Sequence, residues 1–279
     1  MSVRRIAVVA PSSRAAPEVA PKVQAIAAAL YSGRTPEIVF HPQCFAASGH
    51  FAGDDATRAA ALVEVANDPA YDAVWFARGG YGSGRLVEAV LPALTQVARA
   101  KAWLGYSDGG ALLAALYGAG FEGAAHGPMP QDVLRGGGEA AIGRALAWLM
   151  DRDPAALEPT LRPGQKAAAF NIAILSSIIG TPMQPDLADH VLMLEEVSEY
   201  MYRIDRALLH ITSNPAIRKV AGIRLGRCSA LAPNDPDFGL DEGAVARLWC
   251  ERSGIAWLGR ADIGHDAHNK VVPFGGWQG

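Results

Sequence analysis

Cysteine is scarce in this chain of 279 residues: Cys44, Cys228 and Cys250 are odd in number and irregularly spaced. That excludes a disulfide framework and a CxxC-type metal pair, and it predicts a reducing compartment. Long hydrophobic runs are missing too. Nowhere do about 18 apolar residues follow one another, so no spanning helix is predicted. The apolar stretch at 6–10, preceded by Arg4 and Arg5, stops at Pro11, short of a signal-peptide core, and the expected location is cytoplasmic. An excess of one charge is absent: 28 acidic against 25 basic side chains leave a net charge of −3. The basic residues are scattered, which argues against a nucleic-acid partner or a membrane surface. Polar low-complexity tracts and internal repeats are also absent. Half of the residues are hydrophobic, and a chain of this length can bury roughly three quarters of its unfolded surface without covalent staples. One large domain or two moderate ones follow, acting on a small molecule or peptide.

The apolar segments alternate between two periods. Strands are predicted at 6–10, 36–40, 73–77 and 102–105, with helices at 19–30, 54–66, from 85, and at 108–117. Asp54 or Asp55 suits the N-cap of the second helix. Such alternation predicts an α/β fold with a parallel sheet covered by helices on both faces. After three glycines at 136–138 and an Ala-rich helix, a connection is placed at 151–165, dividing a domain at 1–150 from a smaller α/β domain at 166–279. In the second half a strand or buried segment is expected at 170–179, strands at 190–195, 220–226 and 255–258, and helices at 202–212 and 242–252.

The most informative stretch is Trp103-Leu104-Gly105-Tyr106-Ser107-Asp108-Gly109-Gly110. An apolar strand entering Gly-x-Ser-x-Gly and then a helix is the pattern of a nucleophile elbow, with Ser107 as nucleophile. The same residues also fit a plain helix cap by Ser107 and Asp108. Upstream, Arg78-Gly79-Gly80-Tyr81-Gly82-Ser83-Gly84 lacks the spacing of a dinucleotide loop. Its backbone N–H groups at Gly80, with that of Asp108, suit an oxyanion hole; a flexible turn is the competing reading. A serine nucleophile needs a base and a carboxylate to orient it. His265, in the polar loop Gly264-His265-Asp266-Ala267-His268, is the candidate base, and a His265/His268 metal pair lacks a third ligand. His126 is a loop residue that could line the pocket, whereas His41, His50, His190 and His210 read as surface or satisfied structure. For the acid, Val191-Leu192-Met193-Leu194-Glu195-Glu196 drives a strand into two carboxylates, of which one can face the site. Glu195 is chosen; a solvated strand end is the alternative.

These motifs, with Phe51-Ala52-Gly53-Asp54-Asp55, His126-Gly127-Pro128-Met129, Gly180-Thr181-Pro182, Tyr202-Arg203-Ile204-Asp205-Arg206 and Pro273-Phe274-Gly275, resemble in order the LD-carboxypeptidase family of serine peptidases, which includes microcin C immunity peptidases. The resemblance implies an amidotransferase-like N-terminal α/β domain, a smaller C-terminal α/β domain, and a Ser107-Glu195-His265 triad between them. It further implies a cytoplasmic homodimer without metal or organic cofactor. The implied reaction releases a terminal D-amino acid, D-alanine, from murein tetrapeptide, a D-amino-acid-terminated muropeptide, in peptidoglycan recycling. Two departures bear on substrate: Ala167-Ala168-Ala169-Phe170-Asn171 replaces a Gly-Gly-Asn-Leu-like stretch, and Gly109-Gly110 stand where larger residues are common. The free carboxylate of such a substrate needs a cation, for which Arg78, Arg85 and Arg203 are candidates, Arg78 and Arg203 foremost. The rival readings are an aminoacyl-nucleotide peptidase, an α/β-hydrolase-type esterase, and a non-catalytic anion-binding protein.

Overall fold

The computed structural model describes residues 5–278; Arg4 and Gly279 lie outside them. The first sheet carries β1 (Arg5–Val9), β2 (Glu37–Phe40), β3 (Ala73–Phe76), β4 (Ala102–Gly105) and β5 (Ala124–His126), all parallel, in the order β2-β1-β3-β4-β5. The second carries β6 (Lys166–Asn171), β7 (Val191–Val197), β8 (Gly222–Ser229) and β9 (Trp257–Arg260), also parallel and in sequence order. The chain is therefore α/β with two sheets, as the alternation predicts. Successive residues of β1 feed opposite layers: Ala7 and Val9 join the core beneath the helices Asp55–Asn67 and Gly109–Gly118, while Ile6 and Val8 join that beneath Val19–Leu30 and Gly138–Asp151. With both faces covered, β3 and β4 are apolar at every position rather than alternating.

The end of the chain returns to the first half. β10 (Val272–Pro273) pairs antiparallel with β5 at the edge of the first sheet, and β11 (Gly275–Gly276) pairs with β6 of the second. Phe274 between them packs against Tyr117 (ring centroids 5.7 Å apart) and Phe170 (5.0 Å), one from each half. Residues 272–273 thus belong to the first sheet although the sequence places them in the C-terminal unit. The connection at 151–165 is also packed, with Ala156, Leu157 and Glu158 buried.

Three local expectations are corrected. The segment expected as strand or buried chain at 170–179 is the end of β6 followed by a helix, Ile172–Ile178, because the Asn171 side chain accepts from the Ile174 N–H (3.1 Å) and starts the turn. The helix expected from Arg85 is a 3₁₀ turn, Ser83–Leu86, a single α-turn, Val87–Val90, and a second 3₁₀ turn, Leu91–Ala93, in which Pro92 has no N–H to extend the α-helical ladder. His126 ends a strand instead of lying in a loop. Of the two capping candidates, Asp54 takes the N-cap, accepting from Thr57 N at 2.7 Å, while Asp55 pairs with Arg58 and Arg85.

Because Phe274 touches both halves and is 3 % exposed, Phe274→Ala should lower unfolding free energy by about 3–5 kcal/mol. Urea denaturation measures it, and a loss below about 1 kcal/mol would show that the returning tail does not clamp the halves together.

Candidate active site

β4 ends at Gly105, and the turn into the helix Gly109–Gly118 places Ser107 at φ 57°, a left-handed conformation that costs an L-residue about 1–2 kcal/mol. The flanking glycines make room for it. A Cβ on Gly105 would lie 2.5 Å from Phe76 Cδ2, and one on Gly109 2.9 Å from the same atom, so the buried Phe76 ring presses directly on the turn. A Cβ on Gly79 would lie 2.7 Å from Ser107 Oγ. The loop after β3 therefore passes against the serine as bare backbone.

Asp108 holds the surrounding loops. Its buried carboxylate accepts from Ser12 Oγ (2.5 Å) and from Ser83 N (2.8 Å), and its carbonyl accepts from Ser83 Oγ (2.5 Å). The loops after β1, β3 and β4 are laced through this one residue, which fixes the amides of Gly80 and Asp108 relative to Ser107. Neither Ser12 nor Ser83 carries a local motif that would have singled it out.

The other two residues come from the second half. Glu195, on β7, is fully buried, and its Oε2 lies 2.5 Å from His265 Nδ1. His265 Nε2 lies 2.9 Å from Ser107 Oγ. The sequence-predicted serine, imidazole and carboxylate thus form one hydrogen-bonded line, in the disposition by which a carboxylate orients a base beside a hydroxyl. Glu195 Oε1 is buried without a hydrogen-bond partner among the described residues, so the hydrogen bonding of this carboxylate is directed to His265. Glu196 faces the other way and is also buried, which rules out the solvated strand end. It accepts from Asn171 Nδ2 (2.6 Å), Ala173 N (2.9 Å) and Val197 N (2.9 Å), capping the helix Ile172–Ile178, and burial raises its pKa. A register shift between Leu194 and Glu196 in the β7–β8 pairing marks the point where the two carboxylates part.

The position of His265 is held from behind. Its carbonyl accepts from Arg135 Nη1 (2.8 Å), and Arg135 Nε donates to Asp132 Oδ1 (2.9 Å). The Tyr106 hydroxyl donates to the same oxygen (2.9 Å), and its ring lies 4.9 Å from that of His265. Burial, then the Asp132 charge, holds the Tyr106 phenol well above its ordinary pKa, so it serves as a neutral donor. Asn269 Oδ1 gathers Gly264 N (3.1 Å) and His126 Nε2 (3.0 Å). His126 is 1 % exposed, and burial lowers its pKa. Asp132, Arg135 and Asn269 escaped sequence reasoning because the contacts that tie them to the site, with Tyr106, the His265 carbonyl and His126, join distant parts of the chain.

The arginines separate. Arg85 is tied to Asp55 (2.6 Å), and Arg203 is exposed and paired with Glu199 (3.4 Å), whereas Arg78 donates from Nη1 to Arg14 O (3.1 Å) beside the glycine loop. His268 is exposed, and among the described residues no group of three or more His, Cys, Asp or Glu is arranged to hold a metal.

Residues 6–127 match the family model for the LD-carboxypeptidase N-terminal domain, and residues 167–278 match that for the C-terminal domain. The chain belongs to the LD-carboxypeptidase family. As a member, it is a serine-type carboxypeptidase, a hydrolase. It is 32% identical over 249 residues to the "Putative carboxypeptidase" of a Synechocystis species, covering 86% of this chain and 79% of the relative. With the murein tetrapeptide carboxypeptidase of Pseudomonas aeruginosa it shares 26% identity over 74% of this chain and 71% of that one. The muramoyltetrapeptide carboxypeptidase structure from Oxalobacter formigenes superposes with a TM-score of 0.76 at 23% identity, covering 96% and 93% of the two chains. The microcin C7 self-immunity protein MccF gives 0.77 at 17% identity, covering 99% and 92%. These two structural likenesses establish the fold.

Two outcomes follow for this LD-carboxypeptidase. Gly105→Ala should cost about 1–3 kcal/mol by driving a methyl into Phe76. Phe76→Leu should offset part of that cost in a double-mutant cycle read by urea unfolding; strict additivity would contradict the contact. His126 is held below the ordinary 6.5 by burial, so on acidification the unfolded chain binds a proton that the folded site refuses. Stability must therefore fall as pH drops through about 6.5, with His190, also lowered by burial, acting in the same direction. His126→Gln keeps the N–H toward Asn269 and should flatten the loss of urea midpoint between about pH 7.5 and 5.5. An unchanged slope would show that His126 is not the source.

Proposed function

We propose that the enzyme hydrolyses the amide bond between an L-configured centre and a terminal D-amino acid, releasing D-alanine from murein tetrapeptide. The observation that carries this reading is the Glu195–His265–Ser107 line in a member of the LD-carboxypeptidase family. His265 Nε2 takes the Ser107 proton as Oγ attacks the scissile carbonyl carbon. The developing oxyanion accepts the N–H groups of Gly80 and Asp108, each donor contributing roughly 3 kcal/mol to transition-state stabilisation. His265 then passes its proton to the leaving nitrogen, the D-amino acid departs, and a water activated by the same imidazole hydrolyses the Ser107 acyl ester. Glu195 keeps the proton-bearing Nδ1 of His265 turned away from the serine and stabilises the imidazolium.

The murein-named relative supports the substrate class. In a mass-spectrometric assay on L-Ala-D-Glu-diaminopimelate-D-Ala, Ser107→Ala should cut kcat by roughly four to six orders of magnitude with the circular dichroism unchanged. The same peptide ending in L-Ala should be a poor substrate. Near-normal D-alanine release by Ser107→Ala would overturn the mechanism, and equal cleavage of the L-terminated peptide would overturn the stereochemical assignment.

A further inference from the structure

In the first sheet the chain order reverses between β1 and β3, and in a doubly wound sheet the crevice beyond the carboxyl ends of such strands is where ligands bind. The loops after those two strands meet there, with Ser13 N donating to Gly79 O at 3.4 Å. The adjacent glycines Gly79 and Gly80 of the second loop turn in different directions. A Cβ on Gly79 would strike Ser107 Oγ, whereas one on Gly80, at φ 122°, would run into Ser13 and come within 3.6 Å of His50 Nε2. One residue past the contact with the nucleophile, the loop thus reaches a serine hydroxyl and an imidazole that hydrogen-bond each other at 3.1 Å.

His50 is exposed on this crevice, braced edge-on by Phe51 (ring centroids 5.3 Å apart) and flanked by Tyr81 at 6.4 Å, itself 57 % exposed. Arg78, the residue before Gly79, is held beside the same loop by its bond to Arg14 O. The proton relay uses none of Ser13, His50 and Arg78.

We propose that Ser13, His50 and Arg78 form the subsite that receives the free carboxylate of the departing D-residue. The assignment rests on the LD-carboxypeptidase reading. In such a substrate an amide nitrogen and one Cα separate the scissile carbon from the terminal carboxyl carbon, at most about 4 Å. With the scissile carbon at Ser107 Oγ and its oxygen toward the Gly80 amide, the carboxylate is delivered along the glycine loop. There the hydrogen-bonded Ser13–His50 pair and the Arg78 guanidinium supply donors and positive charge. A substrate lacking the carboxylate forgoes these charge-assisted contacts, which turns the subsite into a specificity device.

The test compares wild type, His50→Ala and His50→Gln on the tetrapeptide with a free C-terminus and on its C-terminal carboxamide, following release of D-alanine or D-alaninamide by mass spectrometry. Fluorophosphonate labelling of Ser107 reports an intact site in each variant. Wild type should prefer the acid, and His50→Ala should shrink the acid-to-carboxamide ratio of kcat/KM by about 10–100-fold, mainly through KM for the acid. His50→Gln, which keeps an N–H at similar reach, should recover most of the ratio. An unchanged ratio in His50→Ala, or a proportionate loss on both peptides, would overturn the subsite while leaving the reaction class standing. A wild type that labels at Ser107 yet cleaves neither peptide would overturn the LD-carboxypeptidase reading itself.

Discussion

The contact between Glu195 Oε2 and His265 Nδ1 is the constraint on which the site depends. A carboxylate removed from water carries a desolvation cost that must be met by a partner, and here the imidazole is that partner. The loop carrying His265 is thereby held against β7, and its other nitrogen is delivered to Ser107 across the boundary between the sheets. Everything behind His265 serves the same placement: Arg135 on its carbonyl, Tyr106 against its ring, and Asn269 gathering Gly264 and His126. The antiparallel return of Val272–Pro273 onto β5, with Phe274 packed against a ring from each half, ties the two halves together beside the site.

The serine side of the line is strained where the histidine side is anchored. Ser107 occupies a backbone conformation that L-residues avoid, and the close packing of Phe76, Gly105 and Gly109 leaves the turn little room to relax. Asp108 then sets the neighbouring loops by accepting from Ser12 and Ser83. Glycine at 109 is a packing requirement here, because Phe76 occupies the space of any side chain, whereas a Cβ added at Gly110 would meet Phe170 and Ile174 of the second half at ordinary contact distance. Adjacent glycines thus answer to different neighbours.

Much of this was legible in the amino-acid order. The strands at 73–77 and 102–105 announced themselves as unbroken apolar runs leading into glycine-containing turns, and period-two alternation sufficed to send Glu195 and Glu196 to opposite faces. What Glu196 meets there was not legible, because Asn171 ends β6 and the Ala173 amide lies in the first turn of the helix that follows it. The three-residue strand Ala124–His126 and the two-residue strand Val272–Pro273 are too short to show a period, and they exist because they pair with each other and with β4. His50 looked like a surface histidine. Only the folded crevice sets it beside Ser13 and Gly80.

The most direct test of the account is the rate at which a fluorophosphonate modifies Ser107 in wild type and in Glu195→Gln, with the site of modification mapped by mass spectrometry. If the buried carboxylate orients His265 as the base for Ser107, wild type labels once, at Ser107, and the variant labels there about three to four orders of magnitude more slowly. Equal rates in the two proteins, or modification at another residue, would contradict it.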